Sequence, residues 1–149
     1  MDGPIEELAD RTAHRILAVW AADCAERVLP FFEEKRPEDD RPREAIEAIR
    51  AWVRTGVFRM ADVRNFSLAA HAAAREVAKD DAARSAARAA GQAMATAHVP
   101  RHAIAAAIYA ATAVRDAANS PDADAATARE RDWQYRHLIE LEKTRKDNG

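Results

Sequence analysis

The sequence predicts an all-α protein, a compact helical bundle or a short stack of helical hairpins, with about six helices. Three observations predict it. Alanine supplies 38 of the 149 residues, and it is the strongest intrinsic helix former. Only four glycines interrupt the chain, and β-branched residues are few. Apolar residues recur every three to four positions, the period of a helix with one buried face rather than the alternation of a strand.

Each element has its own local signal. Ile16/Leu17, Trp20, Cys24, Val28 and Phe31 or Phe32 set the rhythm of a first helix, read from Ile5 to about Val28. Pro30 is expected to kink or end it, because proline lacks the helical donor and crowds the preceding turn. Phe31 to Glu34 would then form a further short turn. KRPEDDRPRE, charged and with two prolines, reads as a surface connection. At its end Asp39 or Asp40 can cap a second helix, with Pro42 in the first turn, where its missing N–H costs nothing. That helix, PREAIEAIRAWVR, runs from Pro42 to Arg54, turns Ala45/Ile46, Ile49 and Trp52/Val53 inward and stops at Gly56.

Asp62 can cap a third helix, which carries Val63, Phe66, Ala69/Ala70 and Ala73 toward Val77 and ends near Lys79. Asp80 or Asp81 can cap a fourth, AARSAARAAGQAMATAH, reaching about Ala97. Its isolated Gly91 suits a close helix approach better than a phosphate cradle. Pro100 separates it from a fifth helix, HAIAAAIYAATAVRDAA, and Asn119-Ser120-Pro121-Asp122 is a turn. The last helix is expected from about Asp122 to Lys143, using Trp133, Leu138 and Leu141 as contacts. Residues 1–149 read as one domain, with frayed ends at 1–4 and 144–149.

Charge and composition exclude several function classes. With 23 basic and 25 acidic residues, a net charge of −2 and a pI near 6.2, the chain lacks the positive field of a nucleic-acid or anionic-lipid binder. No apolar run spans a membrane, and MDGPIEELAD lacks the basic start and apolar stretch of a secretory signal, so a cytoplasmic location is expected. One cysteine makes neither an internal disulfide nor a cysteine metal cluster.

Asp23-Cys24, with Arg27 one turn on, is the first place to look for chemistry. Cys24 continues the line Trp20-Cys24-Val28, which makes it a small core residue, while Arg27 can neutralise Asp23. His14, His71, His98, His102 and His137 are scattered, and Pro100 breaks the i,i+4 face of His98 and His102. With no HExxH and no CxxC, neither a metal site nor a cofactor is expected. Arg36, Arg41, Arg43, Arg50 and Arg54 lie among many carboxylates, a mixed charge pattern that fits a protein interface better than nucleic acid. Trp20 and Trp52 sit on apolar stripes. Tyr109 needs water or a partner for its hydroxyl within an alanine-rich helix.

Taken together, WAADCAERVLPFFEEKRPEDDRPREAIEAIRAWVR, AARAAGQAMATAHVPRHAIAAAIYAATAV and the later ERDWQ resemble the Imm-5-like family of bacterial immunity proteins. The likeness covers most of Trp20 to Gln134. It is sharpest at Trp20 to Glu26, at Asp40-Arg41-Pro42-Arg43 with Ala45-Ile46, and at Ala95 to Val99. The family pattern has Gly near 55, an aromatic pair near 108–109 and a basic residue near 112. This chain has Thr55-Gly56, Ile108-Tyr109 and Thr112 there.

The resemblance implies an all-helical protein that neutralises a cognate toxin by direct binding, without catalysis and without a cofactor. Asp23, Arg27, Arg41, Arg43, His98, His102 and Tyr109 are its first candidate interaction residues. The alternative is a small-molecule-binding helical protein or enzyme, in which Asp23, His71, His98, His102 and Tyr109 converge in a polar inter-helix pocket. The alanine-rich faces can close internally or against a second copy, as a homodimer.

Overall fold

The computed structural model describes residues 3–10, 12–79 and 81–148. Among them are seven α-helices and no strand: α1 (Pro4–Asp10), α2 (His14–Lys35), α3 (Arg41–Thr55), α4 (Met60–Arg75), α5 (Ala82–Ala95), α6 (His102–Ala117) and α7 (Ala123–Asn148). A single 3-10 turn, Ser120–Asp122, leads into α7. The all-α bundle expected from the sequence is therefore the fold.

Helix α5 is the hub, packing against α2, α3, α4 and α6. Ten of its fourteen residues are buried, eight of them alanine or glycine. A helix apolar on every side belongs at the centre of a bundle, and side chains this small let four neighbours approach its backbone. Around it, α2 contributes the bulk: Trp20 and Phe32 are fully buried, with Leu29 and Val28 almost so. Helix α7 closes the far side over α2 and α6 through Leu138.

The first expected helix is two. It breaks after Asp10 because the Thr12 hydroxyl donates to the Leu8 carbonyl at 2.7 Å and Ala13 turns extended, at ψ 145°. The break lets α1 lie on α6 and α7 and bury Ile5 and Ala9. Pro30, in turn, lies inside α2 rather than ending it. Both Pro30 and Glu26, whose carbonyl loses its helical donor, are exposed, so solvent can serve that carbonyl.

Other boundaries show which local signals acted. Asp39, not Asp40, accepts the Arg41 backbone N–H at 3.1 Å, and Gly56 ends α3 in the left-handed region at φ 71°. Asp62 falls in the first turn of α4, where a carboxylate still complements the helix dipole, and Arg59 holds the cap position. Helix α4 stops at Arg75, short of Lys79. There Arg36 donates to the Glu76 carbonyl and Arg41 to the Glu76 carboxylate, each at 3.0 Å, fixing the chain as it leaves the helix. Asp81 caps α5 by accepting from Ala83 N at 2.8 Å; Asp80, the other expected cap, lies outside the described residues. Residues 144–148 continue α7 instead of fraying, with Arg145 clasping Glu142 one turn back at 2.7 Å.

Candidate functional site

The residues expected at a site divide into two structural groups. Asp23 and Arg27 belong to a clamp that joins α2 to its neighbours. Arg27 does not neutralise Asp23; its guanidinium makes a two-pronged bond to Glu130 on α7 at 2.8 and 2.9 Å and lies 3.8 Å over the Trp133 ring. Trp133 stacks on His137 at 4.6 Å, and His137 Nε2 bonds Asp23 Oδ2 at 2.7 Å. The other Asp23 oxygen accepts from Arg50 on α3 at 3.0 Å, and Arg50 also reaches Glu26. Deeper in the same seam, Trp20 donates its indole N–H to the Gln134 carbonyl at 2.8 Å, and the Gln134 amide donates to Ala107 on α6.

Cys24 lies under this clamp, fully buried. Burial pushes its thiol well above the ordinary range, and the neighbouring carboxylates of Asp23 and Glu130 push it further. A thiolate is disfavoured there, which is the electrostatic opposite of a nucleophile's setting.

Arg41 and Arg43 are also committed internally. Arg41 holds Asp39 at 2.7 and 2.9 Å, and Arg43 holds Glu33 with two bonds of 2.7 Å. These pairs keep both carboxyls below their ordinary range, chiefly through the guanidinium hydrogen bonds. The charged connection is thus a collar tying α2, α3 and the end of α4 together, not a free basic patch.

The three histidines do converge. His71 on α4, His98 in the turn after α5 and His102 at the start of α6 line one recess of about 270 Å³, together with Ser67, Leu68 and Gln92. Gly91 makes this possible. A Cβ at Gly91 would stand 2.7 Å from His71 Nε2, so only glycine lets the ring lie on α5. Ser67 donates to the Gly91 carbonyl at 3.0 Å, and His102 Nδ1 bonds Gln92 Oε1 at 2.8 Å. His71 Nδ1 is buried with no hydrogen-bond partner among the described residues. Burial holds both His71 and His102 below the ordinary imidazole range, helped at His71 by Arg88, Arg75 and His102 and at His102 by His98. No group of His, Cys, Asp and Glu among the described residues is arranged to hold a metal ion. Asp23 and Tyr109 do not line this recess; Tyr109 sits half-buried on α6.

A second recess lies across α4, sharing Val63 with the first. It measures about 470 Å³ and runs between α3 and α4, with Ala48, Ala51, Trp52, Phe66 and Met94 in its walls. Glu44, Glu47, Asp62 and Arg59 stand along it, all exposed. Trp52, expected in the core, is half-buried here and meets His14 ring to ring at 4.9 Å. Exposed apolar side chains edge the two recesses: Val57 and Phe58 from the loop after α3, Leu68 from α4 and Val99 beside His98. Phe58 stacks toward His98 at 6.3 Å. Sequence reading missed this ledge because Val57 and Phe58 lie between helices, where helical periodicity says nothing.

A family model described as Imm-5 like putative immunity protein matches residues 7–141. The chain belongs to this family. No curated protein and no solved structure matches it. The match to the Imm-5 like family runs from α1 to Leu141 in α7, so both recesses and the α2–α7 clamp lie within it. Within this family member, WAADCAER and ERDWQ, more than a hundred residues apart, meet face to face as the two halves of the clamp. Among the described residues no helix is long and apolar enough to cross a membrane.

Proposed function

We propose that the protein neutralises a cognate bacterial toxin by direct contact, without turnover, through the face that carries the two recesses. Family membership supplies the class of partner. The observation that supports a contact mechanism on this face is the exposure of Val57 (58%), Phe58 (45%), Leu68 (58%) and Val99 (37%) around adjoining concavities. Single exposed apolar residues are ordinary, but several framing neighbouring recesses form the kind of surface that a protein partner covers.

The test is coexpression with the toxin encoded next to the gene. Growth should be restored, and the purified pair should bind. Phe58→Asp and Leu68→Asp should each weaken binding about tenfold or more while leaving helicity intact. Failure of the authentic pair both to restore growth and to bind would remove the proposal.

The convergence of His71, His98 and His102 favours a second reading, a pocket for a small polar ligand. Titration calorimetry with phosphate and small dicarboxylates tests it. Saturable heat that disappears in His102→Ala would favour the pocket over the toxin interface.

A further inference from the structure

We propose that the groove between α3 and α4 receives a cationic segment of the toxin, with an apolar side chain seated against Trp52 and Phe66 and flanking Lys or Arg side chains held by Glu44, Glu47 and Asp62. This rests on the neutralisation reading above and gives its interface a place and a chemistry.

The groove is apolar within and acidic at its edge. Glu44, Ala48, Ala51 and Thr55 recur at three- to four-residue intervals along α3, so one helix face passes from a charged lip onto a floor of small side chains. The alanines leave the space, and the half-buried rings of Trp52 and Phe66 wall it. Aromatic walls suit an apolar anchor, and their faces also attract cations.

The charge pattern selects the occupant. Along α2 and its connection to α3, Asp23, Glu26, Glu33 and Asp39 are matched by arginines, and so is Glu76 after α4. Glu44, Glu47 and Asp62 make no ion pair among the described residues, and Arg59 is the one basic residue lining the groove. Three carboxylates facing one guanidinium leave a local negative field around an apolar recess. An acidic or purely apolar segment would meet repulsion or strand these charges, whereas a basic segment completes them. The volume, about 470 Å³, lies within the range of binding clefts, roughly 300–1,000 Å³.

Two measurements with the purified toxin test this. In the first, the triple variant Glu44→Gln, Glu47→Gln, Asp62→Asn should bind about tenfold to a hundredfold more weakly than wild type and with a flatter dependence on salt. Arg136→Ala, a change on the exposed side of α7, should bind as wild type does. In the second, Val57→Cys is labelled with a photocrosslinker; Cys24 is buried, so position 57 carries the label. The toxin peptide captured on irradiation should be rich in Lys and Arg around an aliphatic or aromatic residue.

Wild-type affinity and salt dependence in the triple variant, capture of an acidic peptide, or capture of a second copy of this chain would each overturn the groove proposal while leaving neutralisation standing. Absence of toxin binding by the wild-type protein would remove both.

Discussion

At the scale of single residues, environment decides more than identity. Cys24 beside Asp23 has the composition of a reactive site, but the thiol is sealed in the core and both nearby carboxylates oppose its ionisation. It should therefore resist iodoacetamide under native conditions and react only when the chain unfolds, with labelling tracking the urea transition; rapid native labelling would contradict the buried placement. The histidine recess makes a pH prediction. Folding holds His71 and His102 below their ordinary imidazole range, so the unfolded chain binds more protons as pH falls through about 6.5. The urea midpoint should be flat above that pH, fall below it, and level off once pH is under the folded values. His71→Gln should flatten the decline, and an unchanged slope would mean that other groups carry it. Losses from Glu33, Asp39 and Asp81, whose carboxyls are held low, belong to more acidic conditions still.

Between elements, the bundle depends on small contacts that sequence patterns only partly reveal. Gly91 was legible as a point of close approach, but its neighbour was not: nothing in the order of residues says that His71, twenty positions earlier, lies across it. Gly91→Ala sets two effects against each other. Alanine improves the helix by about 0.5–1 kcal/mol, while a Cβ 2.7–2.9 Å from the His71 ring overpacks the α4–α5 contact, at about 1–3 kcal/mol. The single variant should be destabilised, and in a His71→Ala background the same change should become stabilising. A double-mutant cycle by urea denaturation reads the reversal, and additivity of the two changes would refute the contact. The α2–α7 clamp makes a smaller claim. Glu130 is buried, yet Arg27 is 41% exposed and can return to water, so Glu130→Ala should cost only about 1–2 kcal/mol. Here the sequence had suggested an Asp23–Arg27 pair because the two share a helix face. The third dimension supplied a better partner for each, Glu130 for Arg27 and Arg50 with His137 for Asp23.

The whole molecule was legible in class and in most helix positions, because alanine content and 3.6-residue periodicity act locally. What stayed hidden was long-range: which helix is central, where charged loops fold back, and which apolar residues remain outside. Composition could not show that the ledge of Val57 and Phe58 stays exposed while Trp20 is sealed. Helix α7 illustrates the same limit, since its mainly polar sequence looks dispensable. It buries Leu138, covers Trp20 by accepting the indole N–H, and supplies Trp133 to Arg27. Burying large side chains such as these contributes about 1.5–3 kcal/mol apiece, against a total stability of about 5–15 kcal/mol for a domain. Deleting residues 130–149 should therefore abolish the cooperative thermal transition and shift Trp20 emission to the red. Deleting 144–149 removes only the last exposed turns of α7 and should leave the transition in place. Circular dichroism and tryptophan fluorescence on the two truncations decide between these outcomes. A cooperative transition in the shorter chain would show that α1 to α6 close their own core and that α7 is an appendage.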